Sequence, residues 1–396
     1  MAVCSFLGHD GVYDKEGIYD VDIQDRLRAA VDRVVRENNT VEFLMYQRGP
    51  FFDRCLLAVL EAKTRYPGKV TVSVVVDGET KIGHDYPPCI VDKMVPVPLT
   101  LPVGNNVAQS YKSAVRFLIQ RSTHLISCLY EPLLDTENLL LNSARRKKDL
   151  EIIDISNEQT IEAILEFATQ LPDKEQLVFQ KLNGGCTLKE VGVLLGVGPE
   201  RARQIKVAVC RKLRKALEHR YYWAEKERNP PALTCCIVST GTATYERLRM
   251  FEKLFRFIME RYGIIQFYIT GDLYHSPYIY VLRESYRASI RCQKPRITAV
   301  VTDSMCPESE DELAMFCPPC DAVERIGLSS AADGAASFDV LSHMIARSDF
   351  CICDLSEFPL AHIILEEISC TKQKVLVNIG QEKPVPQMRH RLTREL

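Results

Sequence analysis

The stretch KVTVSVVVDG, residues 69–78, constrains the fold more than any other part of the chain. A β-branched run interrupted only by Ser73 suits a strand buried on both faces, and such strands belong to parallel sheets covered by helices. The neighbouring segments agree. VCSFLG reads as a strand, and DIQDRLRAAVDRVVREN carries apolar residues at helical spacing. VEFLMYQ is strand-like again, and FFDRCLLAVLEAKTRYP is an amphipathic helix ending at Pro67. A Pro-rich loop follows, then a helix across NVAQSYKSAVRFLIQRS, the strand HLISCLY, another helix, and EIIDIS. Strand–helix alternation of this kind predicts an α/β domain over residues 1–156.

The pattern breaks near Asn157. Residues 157–228 offer several short helices and no strand, and EKERNPPAL at 225–233 reads as a charged linker. Alternation then resumes over 229–396, from TCCIVSTG through DFCICDLS to KVLVNIG. The two flanking halves look like copies. RFLIQRSTHLISCLYEP parallels SHMIARSDFCICDLSEF, with Arg121-Ser122 matching Arg347-Ser348, and Gly8 is matched with Gly241. The predicted architecture is therefore two Rossmann-like parallel-sheet α/β domains flanking an all-α helix-turn-helix domain. Duplication around an insert explains it better than a short-period solenoid.

Composition narrows the setting. Hydrophobic content of 46% and charged content of 26% are those of a globular chain, and 396 residues suit two or three domains. The fifteen cysteines sit in apolar runs such as TCCIVS and DFCICDL, where they act as small buried hydrophobes. The opening MAVCSFLGHDGVYDK has no basic segment leading into an apolar one, and no apolar run reaches membrane-spanning length. A cytoplasmic protein with no membrane partner is expected.

The central segment has its own logic. Leu171-Pro172-Asp173 marks a helix start, and Thr187 with Glu190 has the spacing of a capping box. The first helix of a pair runs through Leu188, Val191 and Leu194-Leu195, Gly196-Val197-Gly198 makes the turn, and Pro199 opens the second helix. Val197, Ala202, Ile205 and Val209 form the buried stripe. The exposed side carries Arg201, Arg203, Gln204, Lys206, Arg211, Lys212, Arg214 and Lys215. Residues 199–220 hold eight Lys/Arg against two Glu, a local +6, so a chain of −2 overall carries −8 elsewhere. Clustered positive charge is the electrostatic footprint of phosphate binding. The plainer alternative is a structural helical linker with a solvated basic face.

LPDKEQLVF followed by TLKEVGVLLGVGPERARQIKVAVCRKLRKAL resembles region 4 of the sigma-70 family, the helix-turn-helix that reads the −35 promoter element. The resemblance implies that the second helix begins in the major groove, with Glu200, Arg203 and Gln204 at bases or nearby phosphates. Arg211, Lys212 and Arg214 would add phosphate contacts. The full expected DNA-binding set is Thr187, Glu200, Arg201, Arg203, Gln204, Lys206, Arg211, Lys212 and Arg214. Where the family has an arginine before that glutamate, this chain has Pro199, so a consensus −35 sequence is not the expected target. No sigma region 2 is visible, so the chain should not melt promoters alone. Region 4 domains also bind RNA polymerase in the family, which makes core polymerase a second candidate partner beside double-stranded DNA.

SFLGHDGVYDKEG resembles the opening of the YpsA-like members of the SLOG superfamily, Rossmann-like domains that often bind nucleotides, but has Asp10 where those members tend to have arginine. RGPFFD retains part of that family's second turn. A glycine after a strand lets backbone N–H groups approach a phosphate. The expected ligand-binding set is Gly8, His9, Gly49, Asp53, Gly241, Gly271, Asp354 and Glu366. The C-terminal copy resembles SLOG-like and nucleoside deoxyribosyltransferase-like folds, which places Glu366 where those enzymes keep a carboxylate; Asp349 and Asp354 flank the strand before its helix, and Gly271-Asp272 parallels the second-strand turn. Neither copy has the PGGxGTxxE loop of the phosphoribohydrolase branch. Cys317-Pro-Pro-Cys320 lacks the second pair a structural zinc site needs, and His343 reads as a helical histidine, so no metal is expected.

The leading expectation is a bacterial, sigma-factor-like, DNA-binding transcription regulator whose flanking domains sense a nucleotide-like ligand or form a homodimer. No cofactor is certain and no catalytic residue is assigned. The alternative is a nucleotide- or nucleoside-processing enzyme with a helical insert, using Glu366, Asp349 and Gly8. A third reading is a module that docks on polymerase without touching DNA.

Overall fold

The computed structural model describes residues 1–8, 23–46, 49–77, 86–97, 107–130, 136–228, 233–239, 244–270, 276–288, 294–302, 320–326, 333–354 and 374–379. The first sheet contains β1 (Ala2–Gly8), β2 (Val41–Tyr46), β3 (Val70–Asp77), β4 (Lys93–Val97), β5 (His124–Cys128) and β6 (Glu151–Asp154), in the order β4-β3-β2-β1-β5-β6. Its helices are α1 (Ile23–Glu37), α2 (Gly49–Arg65), α3 (Val107–Arg121) and α4 (Thr136–Ala144). β1 pairs in parallel with β2 and β5, and β5 with β6. Both β1 and β2 are buried along almost their whole length, as sheet strands covered on two faces must be.

Four helices follow: α5 (Glu158–Ala168), α6 (Asp173–Asn183), α7 (Leu188–Leu194) and α8 (Pro199–Arg228). The second sheet contains β7 (Thr234–Ser239), β8 (Gln266–Thr270), β9 (Arg296–Thr302), β10 (Ala322–Ile326), β11 (Phe350–Asp354) and β12 (Val375–Asn378), in the order β10-β9-β8-β7-β11-β12. All of its pairings are parallel. Its helices are α9 (Tyr245–Tyr262), α10 (Ser276–Ala288) and α11 (Asp333–Ala346). The α/β architecture expected from the sequence is the one observed, with the helical segment lying between the two sheets in the chain.

The two sheets share strand order and also a local device. Lys147 Nζ donates to the carbonyls of Ile119, Gln120 and Ser122 at 3.1, 2.8 and 2.5 Å. Lys374 Nζ donates to Ile345, and to Ala346 and Ser348 at 3.0 and 2.9 Å. Each ammonium closes the carbonyl end of a helix, α3 or α11, where the helix dipole favours positive charge. Register corrects one sequence match. Gly8 pairs with Cys128, and Ser239 pairs with Asp354. Anchored on Ser122 and Ser348, the counterpart of Gly8 is Ser239, not Gly241, which lies outside the described residues.

Two elements differ from expectation. The Pro-rich loop contains β4, with Pro96 inside it; β4 is an edge strand, where a missing N–H is tolerated. Helix α8 runs on through Arg228, into the segment read as linker. Nothing from His219 to Arg228 is glycine or proline, and the residue before Pro230 is the one that proline disfavours in a helix.

Candidate nucleic-acid interface

The helical segment builds a small core from one face of each helix. Val178 of α6, Val191 of α7 and Ala202 of α8 are buried together, with Leu182, Leu188, Leu195 and Ile205 packed against them. Along α8 the stripe continues through Val209, Leu213 and Leu217, all buried. Fully burying a side chain of this size contributes roughly 1.5–3 kcal/mol, so the stripe fixes which face of α8 remains outside.

The turn between α7 and α8 is set by backbone. Leu195 caps α7, Gly196 takes φ +66°, and Val197 N–H donates to Gly192 O at 2.8 Å. A methyl group on Gly192 would stand 2.8 Å from the Val197 carbonyl oxygen, so this position needs glycine for close approach. At the start of α7 the capping box is complete. Glu190 N–H donates to Thr187 Oγ1 at 3.3 Å, and Glu190 Oε2 accepts from Thr187 N–H at 2.7 Å and its hydroxyl at 2.9 Å. Those two donors hold the Glu190 carboxyl below the usual carboxylate range. Pro172 is the residue just before α6, with no side-chain cap of its own.

The outward face of α8 is exposed at Glu200, Arg201, Arg203, Gln204, Arg211, Lys212 and Lys215, while Lys206 and Arg214 are half-buried. These side chains are organised among themselves. Glu200 accepts from Arg203 Nε at 2.9 Å and Nη2 at 2.7 Å, which lowers the carboxyl and raises the guanidinium. Gln204 Oε1 accepts from Arg201 Nη1 at 2.9 Å. Lys212 Nζ donates to both oxygens of Glu175 on α6 at 2.7 Å. A cleft lined by Pro172, Asp173, Lys174, Glu175, Arg201 and Ile205 runs beside this face. Of the expected DNA-binding set, eight members lie on α8; Thr187 sits at the start of α7 with its hydroxyl in the cap.

The expected ligand residues fall differently. Gly8 ends β1 under the ring of Phe51, whose atoms would lie 2.4 Å from an added Cβ, so helix packing alone accounts for that glycine. Gly49 is the first residue of α2, and Asp53 is half-buried on the same helix. His9, Gly241, Gly271 and Glu366 lie outside the described residues, as do Asp272 and Cys317. Asp354 is buried at the end of β11. It meets Arg247 Nη1 at 3.2 and 3.3 Å and accepts from Tyr278 OH at 3.2 Å. Ser239 Oγ donates to Tyr278 OH at 3.0 Å. Burial pushes the Tyr278 phenol up to about 12.

Asp349 stands at the opposite end of β11, where Oδ2 accepts from Thr234 N–H at 2.8 Å and its hydroxyl at 3.1 Å. It ties the start of β7 and does not share a site with Asp354. His343 Nε2 faces Glu324 at 3.0 Å. Among the described residues no group of three or more metal-ligating side chains gathers, and no helix is long and apolar enough to cross a membrane. Sequence reasoning missed Ser239, Arg247 and Tyr278. The available signal was one carboxylate closing the otherwise apolar strand FCICD.

Residues 169–215 match the family model of Sigma-70, region 4. No curated protein matches the chain. Among solved structures the chain is similar to a UDP-GlcNAc 2-epimerase from Neisseria meningitidis bound to UDP-GlcNAc, at 8% identity and a TM-score of 0.20, over 90% of this chain and 78% of that one. That likeness is too slight to inform fold or function. The family match is local, and it falls on the helices built above: α6, α7 and most of α8 form a helix-turn-helix of the sigma-70 region 4 type, set in the chain between two Rossmann-like parallel-sheet domains.

Proposed function

We propose that the protein is a DNA-binding transcription regulator that reads duplex DNA with the start of α8. The observation that carries this reading is the exposed face from Glu200 to Lys215, cationic and held outward by a buried apolar stripe. A guanidinium has five N–H donors, and Glu200 takes two of Arg203's, which leaves donors on Nη1 and Nη2 for guanine. Arg211, Lys212 and Arg214, further along the helix, would add sequence-independent phosphate contacts. The flanking α/β domains would sense a nucleotide-like ligand or hold a homodimer.

Filter binding of duplex DNA across a salt series tests this. Log affinity should fall with log salt at about 0.9 per phosphate neutralised. A flat response sinks the reading. Selection from a random DNA pool should give an enriched sequence for the wild type, and Arg203→Ala with Gln204→Ala should lose enrichment at adjacent base pairs, each good contact discriminating by roughly 1–3 kcal/mol.

One observation favours a protein partner as well. Val193 and Leu194 on α7 are 76% and 57% exposed, an apolar pair outside the core. Core RNA polymerase is the partner that the region 4 match suggests. Pull-down with core enzyme should succeed with the wild type and fail with Val193→Glu plus Leu194→Glu; equal recovery of both removes this contact.

A further inference from the structure

Four positions at the carboxyl ends of the central strands are occupied in opposite ways in the two α/β copies. Register equates Gly8 with Ser239 and Cys128 with Asp354. Phe51 and Tyr278 are each the third residue of the helix after the second strand, and each lies over the end of the first strand. The buried pattern of α1, Leu27, Ala30, Val31, Val34 and Val35, superposes on Phe251, Leu254, Phe255, Ile258 and Met259 of α9, which equates Ile23 with Arg247. In the first copy the set is Gly8, Ile23, Phe51 and Cys128, and the three with side chains are buried and apolar. In the second it is Ser239, Arg247, Tyr278 and Asp354, joined by contacts of 3.0–3.3 Å.

The fold does not need the polar version, because the first copy reaches the same strand order without it. Burying a charged pair costs desolvation, and apolar replacements of similar volume are often neutral or stabilising. A ligand at this edge would account for keeping the pair at that cost. Its place is the one where open parallel sheets take ligands. Strand order reverses at β7, which has β8 on one side and β11 on the other, and the residues stand at the carboxyl ends of the strands. Arg247, its side chain 23% exposed, is the member that reaches solvent.

We propose that this edge of the second copy binds a phosphorylated sugar, either free or as part of a nucleotide, and that the first copy does not. A carboxylate only accepts hydrogen bonds and a guanidinium only donates them. A ligand that satisfies both at once carries hydroxyl donors close to an anionic oxygen group. The phosphate draws the guanidinium of Arg247 away from Asp354, and sugar hydroxyls take its place on the carboxylate. Tyr278 and Ser239 hold Asp354 in position from the buried side. This deepens the sensing half of the function proposed above and stands without the DNA-binding half.

Equilibrium dialysis of the full chain with ribose 5-phosphate, AMP, adenosine and inorganic phosphate tests it. Ribose 5-phosphate and AMP bind, and adenosine and phosphate alone bind at least about tenfold more weakly, since each forgoes a charge-assisted contact. AMP binding tighter than ribose 5-phosphate identifies the nucleotide as the source; equal binding identifies the sugar phosphate. Arg247→Met and Asp354→Asn each weaken both by about tenfold or more, while Cys128→Ser in the first copy changes nothing. If Asp354→Asn unfolds the chain, Arg247→Met at the solvent edge decides. No binding of either phosphorylated sugar, or binding undiminished in Arg247→Met, overturns the proposal. DNA binding measured on the same preparations separates its failure from failure of the DNA reading.

Discussion

At the centre of the first sheet β1 ends in Gly8 beneath the Phe51 ring, whereas at the centre of the second β7 ends in Ser239 bonded to Tyr278. Strand order, parallel pairing and the lysine clamp on a helix end are common to both. The carboxyl ends of the central strands, by contrast, are apolar in one copy and polar in the other. The contrast teaches that the sheet needs only volume to be filled at its carboxyl edge, and that polarity there is an addition to the fold.

The largest test of that contrast is in the second copy. Asp354→Leu alone leaves Arg247 facing an apolar group and should cost about 3–5 kcal/mol of unfolding free energy in urea melts. Installing the first copy's three side chains together, Arg247→Ile, Tyr278→Phe and Asp354→Cys with Ser239 kept, should recover most of that loss. A triple variant as unstable as the single one would break the comparison, because the polar network would then be holding the fold. A smaller effect sharpens the likeness. Lys147→Met and Lys374→Met should each cost about 1.5–3 kcal/mol, since each ammonium serves three carbonyls, and the two losses should agree. Unequal losses would show that the copies have diverged in scaffold as well as in their edges. Smaller again, Gly8→Ala should cost about 1–3 kcal/mol by pressing on Phe51, read as a lowered melting temperature. A neutral Gly8→Ala would mean the ring is free to move aside.

Much of the fold could be read from residues close together in sequence. The VTVSVVVD run, the strand–helix alternation and the Thr187–Glu190 cap are local patterns, and the structure contains each of them. Features that depend on pairing were harder to read. β4 was hidden because Pro96 speaks against a strand unless the strand is known to be an edge. The end of α8 was hidden because charge density in EKER suggests a linker as readily as a solvated helix. The counterpart of Gly8 was misplaced by two residues, since glycine resembles glycine in sequence and only hydrogen-bond register shows that Ser239 stands there. The cluster at Asp354 was legible in one member only. Ser239, Arg247 and Tyr278 are spread across three elements, and each reads by itself as an ordinary strand end, helix surface or core aromatic.

A Cβ at residue 192 would strike main chain, not a side chain that could swivel away. The exit direction of α8 is thus set by main-chain contacts within a six-residue bend, apart from whatever decorates the outward surface. Sequence preference in such a module can be rewritten by exchanging exposed residues on α8 while the scaffold keeps aiming them along one line.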